Sequence, residues 1–132
     1  MNNFSSYVYQ ELIKTFPEWR NIKSTSLEFL ELDVSAPNNA LIGGFVLQTT
    51  KDKTIWVRNY HPCSGYWVDT TEEMIKIITG IMSDQILWVI AFKSDKWFET
   101  TFVHNINDLK TEKGVRYQIL SWSGKFDKVF NT

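Results

Sequence analysis

An apolar stripe with helical spacing opens the chain. Phe4, Val8, Leu12 and Phe16 recur every four residues, and residues at this spacing lie on one face of an α-helix. Pro17 follows at once, and proline ends helices because it has no N–H to donate and its ring clashes with the preceding turn. The pattern therefore predicts an amphipathic N-terminal helix that stops before Pro17.

A two-residue alternation replaces the helical period in the segment LEFLELDV at 27–34. Leu32 and Val34 alternate there with Glu31 and Asp33. Successive side chains of a β-strand point to opposite faces. We therefore expect a strand with one apolar face and an acidic outer face.

Seven further segments are rich in β-branched and aromatic residues and are separated by turn residues, which is typical of a meander and hairpins. They are LIGGFVLQTT at 41–50, TIWVRNY at 54–60, YWVDTT at 66–71, ILWVIAF at 86–92, KWFETTFV at 96–103, VRYQILSW at 115–122 and KFDKVF at 125–130. Gly43 and Gly44 are expected to weaken or bulge the first of them.

A second helix is predicted between these strands. Thr70 stands three residues before Glu73, the spacing of a capping box in which the two side chains satisfy free groups at a helix start. A broad apolar arc follows, made of Met74, Ile75, Ile77, Ile78, Ile81 and Met82. We expect a single α+β domain over residues 1–132, with a mostly antiparallel sheet on which the N-terminal helix and this central helix pack.

Composition restricts the environment and the partner. The chain has 132 residues, one cysteine and a formal net charge of -1, which favours a reduced compartment and argues against a binder of bulk polyanions. The longest apolar run has seven residues, whereas a membrane span needs about 20. With no export signal recognisable at the N-terminus, we expect a cytoplasmic protein that does not bind nucleic acid or membranes.

Charge is unevenly distributed along the chain. Residues 24–50 and 59–75 carry carboxylates but no Lys or Arg. Residues 110–128 are mainly basic, with Lys110, Lys113, Arg116, Lys125 and Lys128 against Glu112 and Asp127. A mixed solvated surface accounts for such runs, and an acidic binding face is the alternative.

Candidate chemistry is concentrated in RNYHPCSGYW at 58–67. His61 and Cys63 form a possible nucleophile and base, His61 and His104 a possible acid–base pair, and all three with a carboxylate a possible zinc site. The Pro, Ser and Gly of this segment are typical of a turn, and the spacing matches no familiar protease or zinc pattern. We interpret the segment as a hairpin tip without catalysis.

No cofactor is expected. GGFVLQT at 43–49 lacks the spacing of glycines that cradles phosphate at a helix start. The histidines and the cysteine do not follow a metal-binding pattern, so we also expect no metal.

Aromatic residues offer a stronger indication. They form 15% of the chain, more than a small core requires. In TIWVRNY, Trp56, Arg58 and Tyr60 share one strand face, and Trp67 lies on the next predicted strand. Arginine beside aromatic rings is typical of a protein interface; a base-stacking platform and a core-facing orientation of Trp56 and Tyr60 are the alternatives.

The segments IWVRNYHP, GYWVDTTEEMIKII and ILWVIAFKSDKWFETTF, together with the order of elements, resemble the immunity proteins of bacterial toxin systems, including those of contact-dependent growth inhibition. The resemblance implies a protein that blocks a toxin, commonly a nuclease, by placing acidic surface against a basic active site. It extends loosely over the whole chain and transfers no role to an individual residue.

We therefore interpret the chain as a stoichiometric inhibitor that binds a protein, a toxin domain, and is not an enzyme. The alternative is a small hydrolase or nuclease that uses His61, Cys63 or His104, and a third hypothesis is a nucleic-acid-binding module. The candidate partner-binding residues are Glu31, Asp33, Asp69, Glu72, Trp56, Arg58 and Trp67.

Overall fold

The computed structural model describes residues 1–59 and 64–132, and within them the chain forms two α-helices and two four-stranded antiparallel sheets. The helices are α1 (Asn3–Thr15) and α2 (Thr71–Met82), with short 3₁₀ helices at Pro17–Asn21 and Ile106–Asp108. The strands are β1 (Glu31–Ser35), β2 (Gly44–Thr49), β3 (Ile55–Asn59), β4 (Gly65–Val68), β5 (Leu87–Lys93), β6 (Lys96–Val103), β7 (Arg116–Leu120) and β8 (Lys128–Asn131). The predicted α+β class, with an N-terminal and a central helix, is confirmed.

The chain divides into two compact units. The first contains Met1–Ser35 and Gly44–Ile78, and the second contains Ala36–Gly43 and Thr79–Thr132. The sheet of the first unit has the strand order β1-β2-β3-β4, and that of the second has the order β6-β5-β7-β8. The organisation of residues 1–132 as a single domain stays a prediction.

Helix α1 is amphipathic and ends before Pro17, as predicted. The Asn2 side chain caps it by accepting a hydrogen bond from the Ser5 N–H at 2.8 Å, which satisfies one of the free donors of the first turn. The buried side chains Val8 and Leu12 lie on one face. The helix ends before Pro17, where a 3₁₀ turn takes over.

Helix α1 packs on the inner face of the first sheet. The Ser5 hydroxyl lies 2.6 Å from that of Thr49 on β2, and both residues are buried. Beyond the helix, the Trp19 ring meets Phe45 of β2 edge-on, with ring centroids 5.9 Å apart. The helix and the Trp19 ring thus cover the inner face of this sheet. The site described below lies on the opposite, outer face.

Two strand starts differ from the prediction. The strand expected from residue 27 begins only at Glu31, because the Ser24 hydroxyl accepts a hydrogen bond from the Glu31 N–H at 3.0 Å and the Phe29 N–H bonds Ser26. These serine contacts hold a bend in place of an extended strand.

The second strand begins at Gly44, so the predicted glycine pair marks a strand boundary. Gly43 has a φ of 72°, a backbone region that favours glycine. A Cβ atom on Gly44 would overlap the carbonyl oxygen of Val34. Both glycines are therefore needed where the chain enters β2 beside β1.

Helix α2 begins at the predicted capping box. The Glu73 N–H donates to the Thr70 hydroxyl oxygen at 3.2 Å, and that hydroxyl donates to the Glu73 carboxylate at 3.3 Å. The Glu73 carboxylate therefore accepts its hydrogen bond from the Thr70 side chain. Met74 and Ile78, from the predicted apolar arc, are fully buried.

The second unit has its own apolar cluster on β5 and β7, made of Leu87, Val89, Ala91, Val115, Tyr117 and Ile119. A polar network holds the connection from β7 to β8. The Asp127 carboxylate accepts from the Ser121 N–H at 2.7 Å and from the Asn39 side-chain amide at 2.8 Å. This network joins residues that are 88 positions apart in the chain.

Candidate functional site

The outer face of the first sheet brings together side chains from all four of its strands. Strand pairing sets Glu31 opposite Gln48, Gln48 opposite Trp56, and Trp56 opposite Trp67. Residues directly opposite one another on antiparallel strands point to the same face. The four side chains therefore form one row across the sheet.

A second row runs beside the first. It contains Asp33, Val46, Arg58 and Gly65, in strand order. Asp33 is exposed, so its carboxylate faces solvent. Its cross-strand neighbour Val46 is apolar and has no side-chain group that could bond the carboxylate.

Together the two rows hold five of the seven predicted partner-binding residues, Glu31, Asp33, Trp56, Arg58 and Trp67, on one face. We call this surface the acidic-aromatic face.

A chain of hydrogen bonds fixes the polar part of the acidic-aromatic face. The Arg58 Nε–H donates to the Gln48 side-chain oxygen at 2.8 Å, and the Gln48 amide donates to Glu31 Oε1 at 3.1 Å. Arg58 Nη2 lies 3.9 Å from the same Glu31 oxygen. The Arg58 charge is thus compensated within the face, and its guanidinium is held in one orientation.

Stacked rings form the aromatic part of this face. The Trp56 and Trp67 rings are nearly parallel, at 6°, with centroids 4.7 Å apart, and Arg58 Cζ lies 5.4 Å from the Trp56 centroid. Trp67 is 59% exposed. The alternative in which Trp56 faces the core is wrong, because Val57, on the opposite side of β3, is the buried residue. Tyr60, the third predicted member of this stripe, lies outside the described residues.

Gln48 was not among the predicted site residues, although it connects Glu31 to Arg58. Its position on β2, between the inward-facing Leu47 and Thr49, identifies it as an outward polar residue in an otherwise apolar strand. That signal is present in the sequence. The sequence does not show that Gln48 lies opposite Glu31 and Trp56, within reach of Arg58, because that placement depends on the cross-strand register.

Tyr66 is the titratable group on β4 whose ionisation the fold alters. It pairs with Val57, beside the outward-facing Trp67, and burial raises the pKa of its hydroxyl above the usual value because a phenolate loses solvation. Because its partner Val57 points to the buried side of the sheet, Tyr66 lies on the face of β4 opposite Trp67 and is not part of the acidic-aromatic face.

The two remaining predicted acids, Asp69 and Glu72, lie where β4 leads into α2. They line a cleft of about 340 Å³ together with Phe4 and Tyr7 of α1. Both carboxylates are exposed. The predicted acids thus occupy two places in the first unit, the acidic-aromatic face and this cleft.

The residues of the hydrolase alternative are only partly described. His61 and Cys63 lie outside the described residues, and His104 is exposed just after β6. Within residues 1–59 and 64–132, no three His, Cys, Asp or Glu side chains are grouped so as to hold a metal ion. The nucleophile and acid–base hypotheses stay as predictions from the sequence.

The second sheet carries aromatic rings in contact with Lys and Arg side chains. Lys93 Nζ lies 4.4 Å from the Phe98 ring centroid, and Arg116 Cζ lies 4.6 Å from that of Phe92. Trp97 on β6 is 48% exposed. Both cations are also paired with carboxylates, Lys93 with Glu112 at 3.4 Å and Arg116 with Asp95 at 3.6 Å. This sheet therefore presents both signs of charge beside its aromatic rings.

No helix in the described part of the chain has both the length and the apolar content needed to cross a membrane.

Comparison of the chain with protein-family models, with curated proteins and with solved structures found no match in any of the three.

Proposed function

We propose that this chain is a stoichiometric protein-binding inhibitor that neutralises a bacterial toxin, such as a nuclease, through the acidic-aromatic face. The observation that carries the proposal is the convergence of Glu31, Asp33, Arg58 and the Trp56–Trp67 stack on one face of a four-stranded sheet. Tryptophan and arginine are the residues most enriched among interface hot spots.

Rigidity of this face supports a binding role. Arg58 is held by Gln48 and Glu31, and Trp67 is held by stacking on Trp56. Side chains already fixed in the free protein lose little conformational entropy when a partner binds. The face therefore has the preorganisation that favours tight association.

The negative net charge of the first unit supports a basic partner. The first unit contains nine Asp or Glu and seven Lys or Arg, a net charge of -2, whereas the second unit contains six acids against seven bases, a net charge of +1. Proteins that act on nucleic acid bind phosphates with clustered Lys and Arg. Complementary potentials speed association and select the partner.

The test begins with the toxin encoded beside the gene for this chain. Co-expression of the two proteins should protect a bacterial host, and the purified proteins should form a 1:1 complex by light scattering. The double variant Asp33→Lys/Trp67→Ala should weaken that complex by at least about 30-fold, since hot-spot residues contribute about 2 kcal/mol or more.

A matched control is available on β6. Glu99→Lys/Trp97→Ala makes the same charge change and removes the same ring, also from exposed positions, and should leave the affinity within about threefold of wild type, because surface substitutions outside an interface have small effects. Absence of any neighbouring toxin that binds, or equal effects of the two double variants, contradicts the proposal.

A further inference from the structure

We infer that a cleft beside the β7–β8 connection binds a small apolar carboxylate. Leu87 and Ile119 contact the apolar body of this ligand. Lys125 and Lys128 pair with its carboxylate group. All the residues that line the cleft belong to the second unit, so the inference does not depend on the proposed inhibitor function, which uses the first unit.

One face of the second sheet forms the floor of the cleft. Ile119 on β7 lies opposite Val89 of β5, and Leu87 is two residues from Val89, so the three side chains share a face. Leu87 and Ile119 are buried, and Ile106 packs against the cluster that contains them. The cleft measures about 250 Å³, below the roughly 300 Å³ at which sites for drug-sized ligands begin. It therefore suits a single ring or short chain with one acidic arm.

The wall of the cleft is a loop that its own hydrogen bonds hold in place. The Phe126 N–H donates to the Ser121 hydroxyl oxygen at 3.1 Å, and the Lys125 N–H donates to the Ser123 hydroxyl oxygen at 3.1 Å. The Ser123 N–H in turn donates to the Asp84 carboxylate at 3.0 Å. Because the loop is already ordered, a ligand loses little affinity to ordering the site.

Two lysines give the cleft its preference for an anion. Lys128 lies opposite Ile119 across the strands, so its side chain leaves the sheet on the same side as the apolar floor. Its Nζ lies 5.5 Å from the ring centroid of Phe130, which packs against the same apolar cluster. Lys125 and Lys128 are exposed, and the ion pairs among the described residues involve neither of them. Both ammonium groups are therefore available to a carboxylate.

Asp127 also lines the cleft, but its carboxylate is bonded within the loop. Its Oδ1 accepts from the Ser121 N–H at 2.7 Å, and its Oδ2 accepts from the Asn39 amide at 2.8 Å. Two lysines against this one aspartate give the lining residues a net charge of +1. The cleft therefore attracts an anion more than it attracts a neutral or cationic compound of the same shape.

A series of three compounds, added to the full chain, tests this preference. The compounds share one phenyl ring and differ in their end group: hydrocinnamate is an anion, its amide is neutral and phenylpropylamine is a cation. Binding is followed through the δ1-methyl NMR resonances of Ile106 and Ile119, which line the cleft and are kept in every variant. Hydrocinnamate should shift both resonances saturably, with a Kd in the millimolar range or tighter for a ligand of about eleven non-hydrogen atoms. The amide should bind more weakly, and the amine should bind most weakly.

Substitutions separate the lysines from the apolar part of the cleft. Lys125→Gln/Lys128→Gln should weaken hydrocinnamate by about three- to tenfold, the range expected when two exposed ion pairs are lost, and should leave the affinity for the amide unchanged. Phe126→Ala removes part of the wall and should weaken both compounds. The control Lys110→Gln/Lys113→Gln removes the same charge from exposed positions outside the cleft and should leave hydrocinnamate binding close to wild type.

Three results would overturn the inference. They are equal affinities for hydrocinnamate and its amide, equal effects of the two double-lysine variants, and the absence of a saturable shift at Ile106 and Ile119. A shift of these resonances with protein concentration alone would also overturn it, because a second copy of the chain would then occupy the cleft.

Discussion

At the scale of single residues, the Thr70 hydroxyl has the most clearly defined structural task. It accepts the Glu73 N–H and donates to the Glu73 carboxylate, so it satisfies a donor that the first turn of α2 leaves free. Thr70→Ala should lower the free energy of unfolding by about 1 kcal/mol. Thr70→Ser keeps the hydroxyl and should restore most of that loss. Urea unfolding of the three proteins measures both effects, and an unchanged midpoint for Thr70→Ala would contradict the cap.

His61 and Cys63 provide the second prediction at this scale. Their segment contains the Pro, Ser and Gly of a turn, and the familiar Cys–His pairs of enzymes are distant in sequence. Cys63→Ser and His61→Ala should therefore leave toxin neutralisation and affinity essentially unchanged. A loss of a hundredfold or more with the circular dichroism spectrum preserved would instead support the nucleophile hypothesis.

At the scale of elements, β1 shows that a two-residue alternation of apolar and acidic residues determines which side chains are buried and which face outward. Leu32 and Val34 are buried while Glu31 and Asp33 face outward, as a two-residue period requires. The same period predicted that Trp56 and Arg58 share one face of β3, and the burial of Val57 shows that this face is the outer one. Alternation therefore predicts which side chains of a strand lie together, whereas the direction that this shared face takes on β3 is settled by the fold.

Other features depend on contacts that local sequence does not encode. Leu27, expected in the first strand, is 93% exposed because serine side chains bend the chain there. The bond from Asn39 to Asp127 spans 88 positions, and the division of the strands into two sheets likewise depends on pairing between distant segments. Register and long-range pairing are tertiary properties that periodicity does not specify.

The two acids of β1 should differ in their effect on stability. Glu31 accepts from Gln48 and lies near Arg58, so Glu31→Lys removes both contacts and sets two cations side by side. Glu31→Lys should lower the free energy of unfolding by about 1 kcal/mol or more. Asp33 is exposed opposite Val46, and Asp33→Lys should change stability by less than about 0.5 kcal/mol. Thermal unfolding of the two variants checks the contrast, and equal costs would argue against the Arg58–Gln48–Glu31 network.

At the scale of the whole molecule, the net charge of -1 conceals a difference between the two units. The first unit carries -2 and the second +1. Long-range steering depends on the local distribution of charge near the binding surface, because salt screens charges beyond about 8 Å at physiological ionic strength. An inhibitor that binds a basic protein through the acidic-aromatic face should therefore respond to charge changes on that face more than to equal changes outside it.

Association kinetics test this expectation. If the acids of the first unit steer a basic toxin, the association rate at low salt should exceed the roughly 10⁵ to 10⁶ M⁻¹s⁻¹ of unsteered docking and should fall as salt increases. Asp33→Lys and Asp69→Lys/Glu72→Lys should each slow association and flatten its dependence on ionic strength. The second variant should also lose about 0.3 to 1 kcal/mol of stability, because Glu72 lies in the first turn of α2 and favours its dipole.

Glu99→Lys is the control for charge alone, since it reverses an exposed acid on β6 of the second unit. It should leave both the rate and its salt dependence close to wild type. Dissociation rates should change little in all of these charge variants, because exposed charges act mainly on encounter. If Glu99→Lys slows association as much as Asp33→Lys does, overall charge governs the encounter and the acidic-aromatic face has no special part in it.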